Sequence, residues 1–365
     1  SIEKGKQIHN EIVCRGLLDN HILIGTTLVD MYAKCGELHK AQKLLEELHV
    51  RNVVSWNALI SGYTQHGKGI EAFTCFEQMQ SEGYCPDVVT FICILNACGK
   101  IISVEKGKRI HKEIMIRGLL EKHVSLGNAL VDMYAKCGDL AKAQNVLEQL
   151  PVRNVVSWST LISGYAQAGL GHEAFSCFDN MQSDGVCANV VTFISILKAC
   201  GCIDAIEKGK KLHSLILRKG ILLGRHAVLG SMLVDMYFKF ALAEEAVKVF
   251  KKVSVPDVIS WTALITGYVD HGLCKEALIT LYNMELEGVS PNAVTFSSVL
   301  KACSLVADID KGKQIHTEII NVGLLEKSIM LGTALVDMFA KCGFLSKARQ
   351  VHEELHVRDV VSWSA

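Results

Sequence analysis

Several absences narrow this sequence before any motif does. It has no net charge, with 38 Lys and Arg against 38 Asp and Glu. No global field therefore draws it to nucleic acid, and any such binding must come from a local surface. No apolar run approaches the roughly 18 to 20 residues that span a bilayer, because Lys, Glu, His or Gly interrupts every hydrophobic stretch; no membrane partner is expected. Its 14 cysteines include no C-x-x-C pair, Cys200 and Cys202 coming nearest, so a zinc or dithiol site is not indicated. They read as small buried residues of a reducing compartment. Catalytic triads, phosphate-cradling glycine loops and clustered carboxylates are missing too. His352, Glu353 and Glu354 spell H-x-E, the opening of a zinc deaminase signature, but no P-C-x-x-C follows. The expectation is a chain with no catalysis, cofactor or metal of its own.

What the sequence has is repetition. Trp56, Trp158, Trp261 and Trp363 are spaced by 102, 103 and 102 residues. The KGK runs beginning at Lys4, Lys106, Lys208 and Lys311 step by 102, 102 and 103. The extra residue lies where RKGILLGRHAV replaces IRGLLEKHVS, in a connector that tolerates insertion. Length alone suggests two domains, but a regular period indicates one array.

Within the period, Val53 to Asp87 is the clearest unit. Trp56, Leu59, Ile60 and Tyr63 lie at i, i+3, i+4 and i+7, one stripe of an α-helix. Gly67 and Gly69 interrupt, a second stripe follows at Ala72, Phe73, Phe76 and Met79, and Gly83, Pro86 and Asp87 read as a stop and a turn. The unit is a helical hairpin, and it recurs at 155–189 and 258–292. A second hairpin type occupies 88–123, 190–226 and 293–328, and a shorter third type 22–52, 124–154, 227–257 and 329–359. Residues 1–21 end a unit of the second type and 360–365 open one of the first. Such hairpins cannot bury their apolar faces alone, so they are expected to stack into an all-α solenoid. Neither end carries a polar capping unit, and the array is expected to extend in both directions.

Projected at 100° per residue, the first helix puts Val54, Asn57, Ser61 and Thr64 on a face beside the apolar stripe. The copies place Val156, Ser159 and Ser163, then Ile259, Thr262 and Thr266 there. This face is either a solvated helix edge or a row of donors and acceptors, flanked by apolar surface, along one groove.

The hairpins, with VVSWNALISGY, MYAKCG, KGKQIH and Asp or Asn at unit ends, resemble pentatricopeptide repeat (PPR) proteins, specifically the plant subclass alternating P, L and S motifs. The unit lengths of 35, 36 and 31 residues fit that alternation. The resemblance implies a right-handed α-α superhelix and a single-stranded RNA partner read at about one base per repeat. In the family the fifth and last residues of a motif read the base and the second sandwiches it. Carried over, the reading pairs are Thr26 with Asn52, Asn57 with Asp87, Asn128 with Asn154, Ser159 with Asn189, Ser231 with Asp257, Thr262 with Asn292, and Thr333 with Asp359. Val54, Val156 and Ile259 would sandwich bases. By the family's code the pairs imply A, U, C or U, A, G, A and G. The L units, with Ile92 and His123, Ile194 and His226, and Ser297 and Ser328, depart from the code and stay unread. The implied footprint is 5′-A-U-n-Y-A-n-G-A-n-G-3′.

The resemblance further implies a mitochondrial or chloroplast location and a targeting role in C-to-U RNA editing. Deaminase activity would then lie in a following E or DYW extension or in a partner acting in trans, alongside editing-complex proteins. An organellar RNA processing or stabilisation factor, and a tetratricopeptide-like scaffold binding a peptide, are the alternatives. The periodic His9, His111, His213 and His316 lie too far apart along an array to share a metal. Cys35, Cys137 and Cys342 are answered by Phe240, and Cys75 and Cys177 by Thr280. Such replacement within one chain marks packing residues. The KGK lysines begin second helices and are expected on a solvated face.

Overall fold

The computed structural model describes residues 2–18, 21–201, 203, 205–220, 227–253, 255–325 and 328–354. Among them are 21 α-helices and no strand. The helices group into two compact units, residues 1–188 and 189–365. The first unit holds α1 (Ile2–Cys14), α2 (Ile22–Lys34), α3 (Leu38–Glu47), α4 (Val53–Gln65), α5 (Gly69–Ser81), α6 (Val88–Lys100), α7 (Val104–Ile116), α8 (Val124–Lys136), α9 (Leu140–Gln149), α10 (Val155–Gln167) and α11 (Gly171–Ser183). The second holds α12 (Val190–Cys200), α13 (Ile206–Arg218), α14 (Ala227–Lys239), α15 (Ala243–Lys252), α16 (Val258–Asp270), α17 (Cys274–Leu286), α18 (Ala293–Val306), α19 (Ile309–Asn321), α20 (Ile329–Lys341) and α21 (Leu345–Glu354).

Both stripes of the Val53 hairpin are inside: Trp56, Leu59, Ile60, Tyr63, Ala72, Phe73, Phe76 and Met79 are all buried. At about 25 cal/mol per Å² of apolar surface, this burial drives hairpin formation and stacking. Gly67 makes the turn possible, since its φ of +75° lies in the left-handed region where a Cβ is strained. There the Lys68 N–H donates to the Tyr63 carbonyl at 2.9 Å, closing the end of α4. The shorter third hairpin type is shorter in its second helix: α3, α9 and α15 have 10 residues where α5, α7 and α11 have 13.

Within each unit the even-numbered helices, which are first helices of hairpins, pack each against the next, α2 on α4 through α8 on α10, and α12 on α14 through α18 on α20. Close approach has visible causes. A Cβ on Gly62 would sit 2.5 Å from the Ala33 Cβ of the preceding first helix. The glycine of each KGK run does the same work for second helices: a Cβ on Gly107 would sit 2.4 Å from the Met133 sulfur, with Gly5, Gly209 and Gly312 facing Met31, Met236 and Met338 alike. The result in each unit is a layer of stacked first helices with second helices packed against it.

Candidate nucleic-acid interface

The first helices begin in two ways. In the first unit Asn52, Asp87 and Asn154 cap α4, α6 and α10, accepting from the N–H groups of Ser55 at 2.8 Å, Thr90 at 2.8 Å and Ser157 at 3.0 Å. In the second, Asn189, Asp257 and Asn292 cap α12, α16 and α18, accepting from Thr192, Ser260 and Thr295 at 2.9 Å each. Such caps satisfy N–H groups that the helix cannot. His21, His123 and Ser328, at the ends of the second hairpin type, precede α2, α8 and α20 without a side-chain cap bond. Among the described residues, the last-position residues of the proposed reading pairs are therefore structural caps first, and the ends of the second hairpin type at His21, His123 and Ser328 differ from them in geometry as well as in residue type.

The fifth residues meet these caps across consecutive hairpins. The Asn57 amide donates to Asp87 Oδ1 at 3.0 Å, and the Thr90 hydroxyl donates to Asn57 Oδ1 at 2.6 Å. In the second unit the Ser231 hydroxyl lies 3.1 Å from that of Ser260, which donates to Asp257 Oδ1 at 2.9 Å. The Thr262 hydroxyl lies 2.7 Å from that of Thr295, which donates to Asn292 Oδ1 at 3.0 Å. Thr26 Oγ1 and Asn128 Oδ1 are buried with no hydrogen-bond partner. The Thr333 hydroxyl turns back to the Ile329 carbonyl, and Asp359 lies outside the described residues, as do His226 and Trp363. Ser159 is buried on α10 of the first unit while Asn189 opens the second.

Burial works on Asp87 in two senses. Desolvation pushes its carboxyl upward, but hydrogen bonds from the Thr90 N–H, the Asn57 amide and the Thr90 hydroxyl outweigh it and hold the pKa below the ordinary 3.8. Asp87 is ionised at neutral pH and faces solvent, while Asn57 behind it is buried. The face projected from one helix thus resolves into a buried fifth position and an exposed second position. Val54, Val156 and Ile259 are indeed exposed, Val54 at 60%. Exposed apolar residues hold the same second place in other units: Leu23 and Val89 in the first unit, and Val191, Val228, Val294 and Met330 in the second. The sequence carries their signal, an apolar residue one step into every first helix but α8, which has Ser125 there, although the helix projection picks out the members of the first hairpin type alone.

Basic charge also lies elsewhere than in the KGK runs. There Lys6, Lys108, Lys210 and Lys313 pair with Glu3, Glu105, Glu207 and Asp310 one turn earlier, and Lys106 lies over the Phe73 ring. A second recurring lysine ends first helices: Lys34, Lys136, Lys239 and Lys341 each reach back to an Asp four residues earlier. Lys100, at the same place, donates to the Thr64 carbonyl at 2.7 Å. The periodic histidines are packing residues. His9, His111 and His213 bond the Tyr32, Tyr134 and Tyr237 hydroxyls at 2.8 to 3.0 Å, and His316 stands edge-on to Phe339. Cys75 and Cys177 are buried, each thiol pushed up to about 12 by desolvation, whereas Cys35 is exposed at a helix end and is no packing residue. Among the described residues no group of His, Cys, Asp and Glu could hold a metal ion, and no helix is long and apolar enough to cross a membrane.

Stacked helical hairpins, repeating in three lengths with a polar cap at most joints, define an α-α solenoid. Residues 51–100, 153–202 and 256–304 match the PPR repeat family, and residues 26–53, 128–155 and 333–360 match the PPR repeat itself. The chain belongs to the pentatricopeptide repeat family. It is 36% identical over 363 residues to a chloroplastic pentatricopeptide repeat-containing protein of Arabidopsis thaliana, covering 100% of this chain and 58% of that protein. A mitochondrial one from the same plant is 33% identical, with 100% and 52% covered. The chain thus spans about half the length of these relatives. Among solved structures, the pentatricopeptide repeat protein PPR10 in complex with an 18-nt psaJ RNA element superposes with a TM-score of 0.78 at 17% identity, covering 97% of this chain and 53% of PPR10. At that identity the likeness is one of fold.

Proposed function

We propose that this chain binds single-stranded RNA in a sequence-specific way, at about one base per hairpin, along the layer of first helices. The observation that carries the reading is the Asn57 and Asp87 contact, which joins two hairpins beside the exposed Val54 and Val89. A base stacked between such apolar side chains would present its edge to a fixed amide and carboxylate. The phosphate backbone would be met locally, not by a global field, by the lysines that end the first helices, whose exposed pairs with Asp would open toward phosphate. PPR10, which shares the fold, is RNA-bound in its solved complex.

The pairs Thr26 with Asn52, Asn57 with Asp87, Asn128 with Asn154, Ser159 with Asn189, Ser231 with Asp257, Thr262 with Asn292 and Thr333 with Asp359 would select 5′-A-U-n-Y-A-n-G-A-n-G-3′. The L units contribute apolar second residues and spacing. In this reading the chain is the P, L and S array of an organellar factor that directs C-to-U editing, with the deaminase supplied by a C-terminal extension or in trans. Mitochondrial and chloroplastic relatives support an organellar setting. Selection from a randomised RNA pool tests the footprint. Enrichment of purines at its fifth and eighth positions is expected, and a pool with no purine preference there would refute it.

A further inference from the structure

In the first helices capped by Asn or Asp, the third-position hydroxyl takes one of two arrangements, and the fifth residue of the preceding hairpin differs with it in the five cases below. At Thr90, Ser260 and Thr295 the hydroxyl donates to the side chain of its own cap, at 2.9, 2.9 and 3.0 Å. In those three cases it also bonds the preceding fifth residue, Asn57, Ser231 or Thr262. At Ser55 and Ser157 the hydroxyl instead donates to the backbone carbonyl of its cap, Asn52 or Asn154, at 2.8 and 2.9 Å. There the fifth residues carry the unpartnered atoms, Thr26 Oγ1 and Asn128 Oδ1.

We infer that Thr90, Ser260 and Thr295 are positioning residues for base recognition, each hydroxyl locking a fifth residue and a cap into one network that fixes the polarity shown to the base. Ser55 and Ser157 supply no such lock, so the Thr26 and Asn128 steps are adaptable readers. The inference rests on the proposed RNA reading. The chemistry is explicit at Thr90. Its single hydroxyl proton is shared between Asp87 Oδ1 at 2.9 Å and the nearer Asn57 Oδ1 at 2.6 Å, and the share given to Asn57 occupies the amide's acceptor and leaves Nδ2 turned toward Asp87. Without the hydroxyl only the bond to Asp87 still opposes a flip of the amide about its last torsion, which would exchange donor for acceptor. At Asn128 one acceptor atom has no partner in the free chain, so the same flip meets no opposing bond. The two kinds of step share the capping interaction, so a capping role alone predicts no difference between them.

The test uses the chain with synthetic RNAs of the proposed footprint, varied singly at its first and second bases. Thr90→Val removes the hydroxyl at nearly constant shape and is expected to reduce base discrimination at the second position by about three- to tenfold, the size of one net hydrogen bond. Thr90→Ser restores it. Ser55→Ala loses the same capping hydroxyl yet leaves first-position discrimination unchanged. If Thr90→Val only weakens affinity for all RNAs equally, or Ser55→Ala costs as much discrimination as Thr90→Val, the positioning role is overturned. Asn57→Ala separates the two levels. If it leaves second-base preference intact, the RNA reading fails and the inference falls with it. If it abolishes that preference while Thr90→Val does not, only the inference falls.

Discussion

The sharpest test of the fold's internal logic is Ala241→Gly. The third hairpin type closes its first helix with MYAKCG or MFAKCG in three copies and with MYFKFA in the remaining one, so Ala241 stands where the others have Gly36, Gly138 and Gly343. Those glycines take φ of +82°, +80° and +82°, and Ala241 is held at +55°. The closing bonds persist, Ala241 N–H to Phe238 at 2.8 Å and Leu242 N–H to Tyr237 at 2.9 Å, so the turn is made at conformational cost. A left-handed L-residue costs about 1–2 kcal/mol, and glycine's greater freedom when unfolded returns about 0.5–1 kcal/mol of that difference. The substitution is therefore expected to stabilise the α14–α15 hairpin by about 0.5–1 kcal/mol. The reverse change, Gly138→Ala, should cost a similar amount, because nothing lies within 4 Å of the added Cβ and the effect is conformational alone. Stability in a solenoid is local, so native-state hydrogen exchange of the α14 and α15 amides is the assay, with urea midpoints for the whole chain. Unchanged or faster exchange in Ala241→Gly would refute the strain argument.

Three further outcomes are expected. Gly267→Ala puts a Cβ 2.1 to 2.5 Å from the Phe238 ring, and the overpacking should lower the urea midpoint by about 1–3 kcal/mol of stability, exceeding the helix-propensity gain of about 1 kcal/mol. Asn57→Thr should move the second base of the footprint from U toward G in a gel-shift titration, with the introduced threonine adopting the hydroxyl contact that Thr262 makes with Thr295; an unchanged U-to-G ratio would dismiss that reading pair. Burial depresses the pKa values of His9, His111, His213 and His316 below the ordinary 6.5. The unfolded chain then binds protons that the folded one resists, so stability should fall as pH drops below 6.5 toward the folded values. His111→Gln should flatten part of that slope in urea midpoints measured from about pH 7.5 to about 5.5, a range that brackets an ordinary histidine.

Helices and their buried faces were legible because the signal is local: Trp56 to Tyr63 and Ala72 to Met79 need only a 3.6-residue period to declare a side. The site was legible in part. A projection of one helix cannot include the helix that covers it, so Asn57 and Val54 share a face in projection although the next hairpin buries one and leaves the other exposed. Asp87 reads as a turn, yet D-x-x-T and N-x-x-S at the coded joints are capping patterns that carry its second role. The lysines ending first helices are harder to see because KGK is the denser basic run, and density along a sequence says nothing of which layer a side chain joins.

The two proposed reading positions are under unequal structural constraint. Asn and Asp are near-equal helix caps, so exchanging one for the other at position 52, 87, 154, 189, 257 or 292 alters hydrogen-bond polarity while keeping the joint intact. The fifth position has no such latitude. Asn57, Ser159, Ser231 and Thr262 sit buried in the stacked layer, where only a small side chain fits and its polar atoms need partners. Asn57, Ser231 and Thr262 meet both conditions through the third-position hydroxyl or a backbone carbonyl, whereas Thr26 Oγ1 and Asn128 Oδ1 stay unpartnered. Ile92 and Ile194 have no side-chain polar atom to satisfy and stand in the second hairpin type, whose copies ending at His123 and Ser328 lack the cap bond. In the proposed reading, base identity therefore varies most cheaply at the cap, while the fifth position limits the choice to residues that the packed layer already accepts.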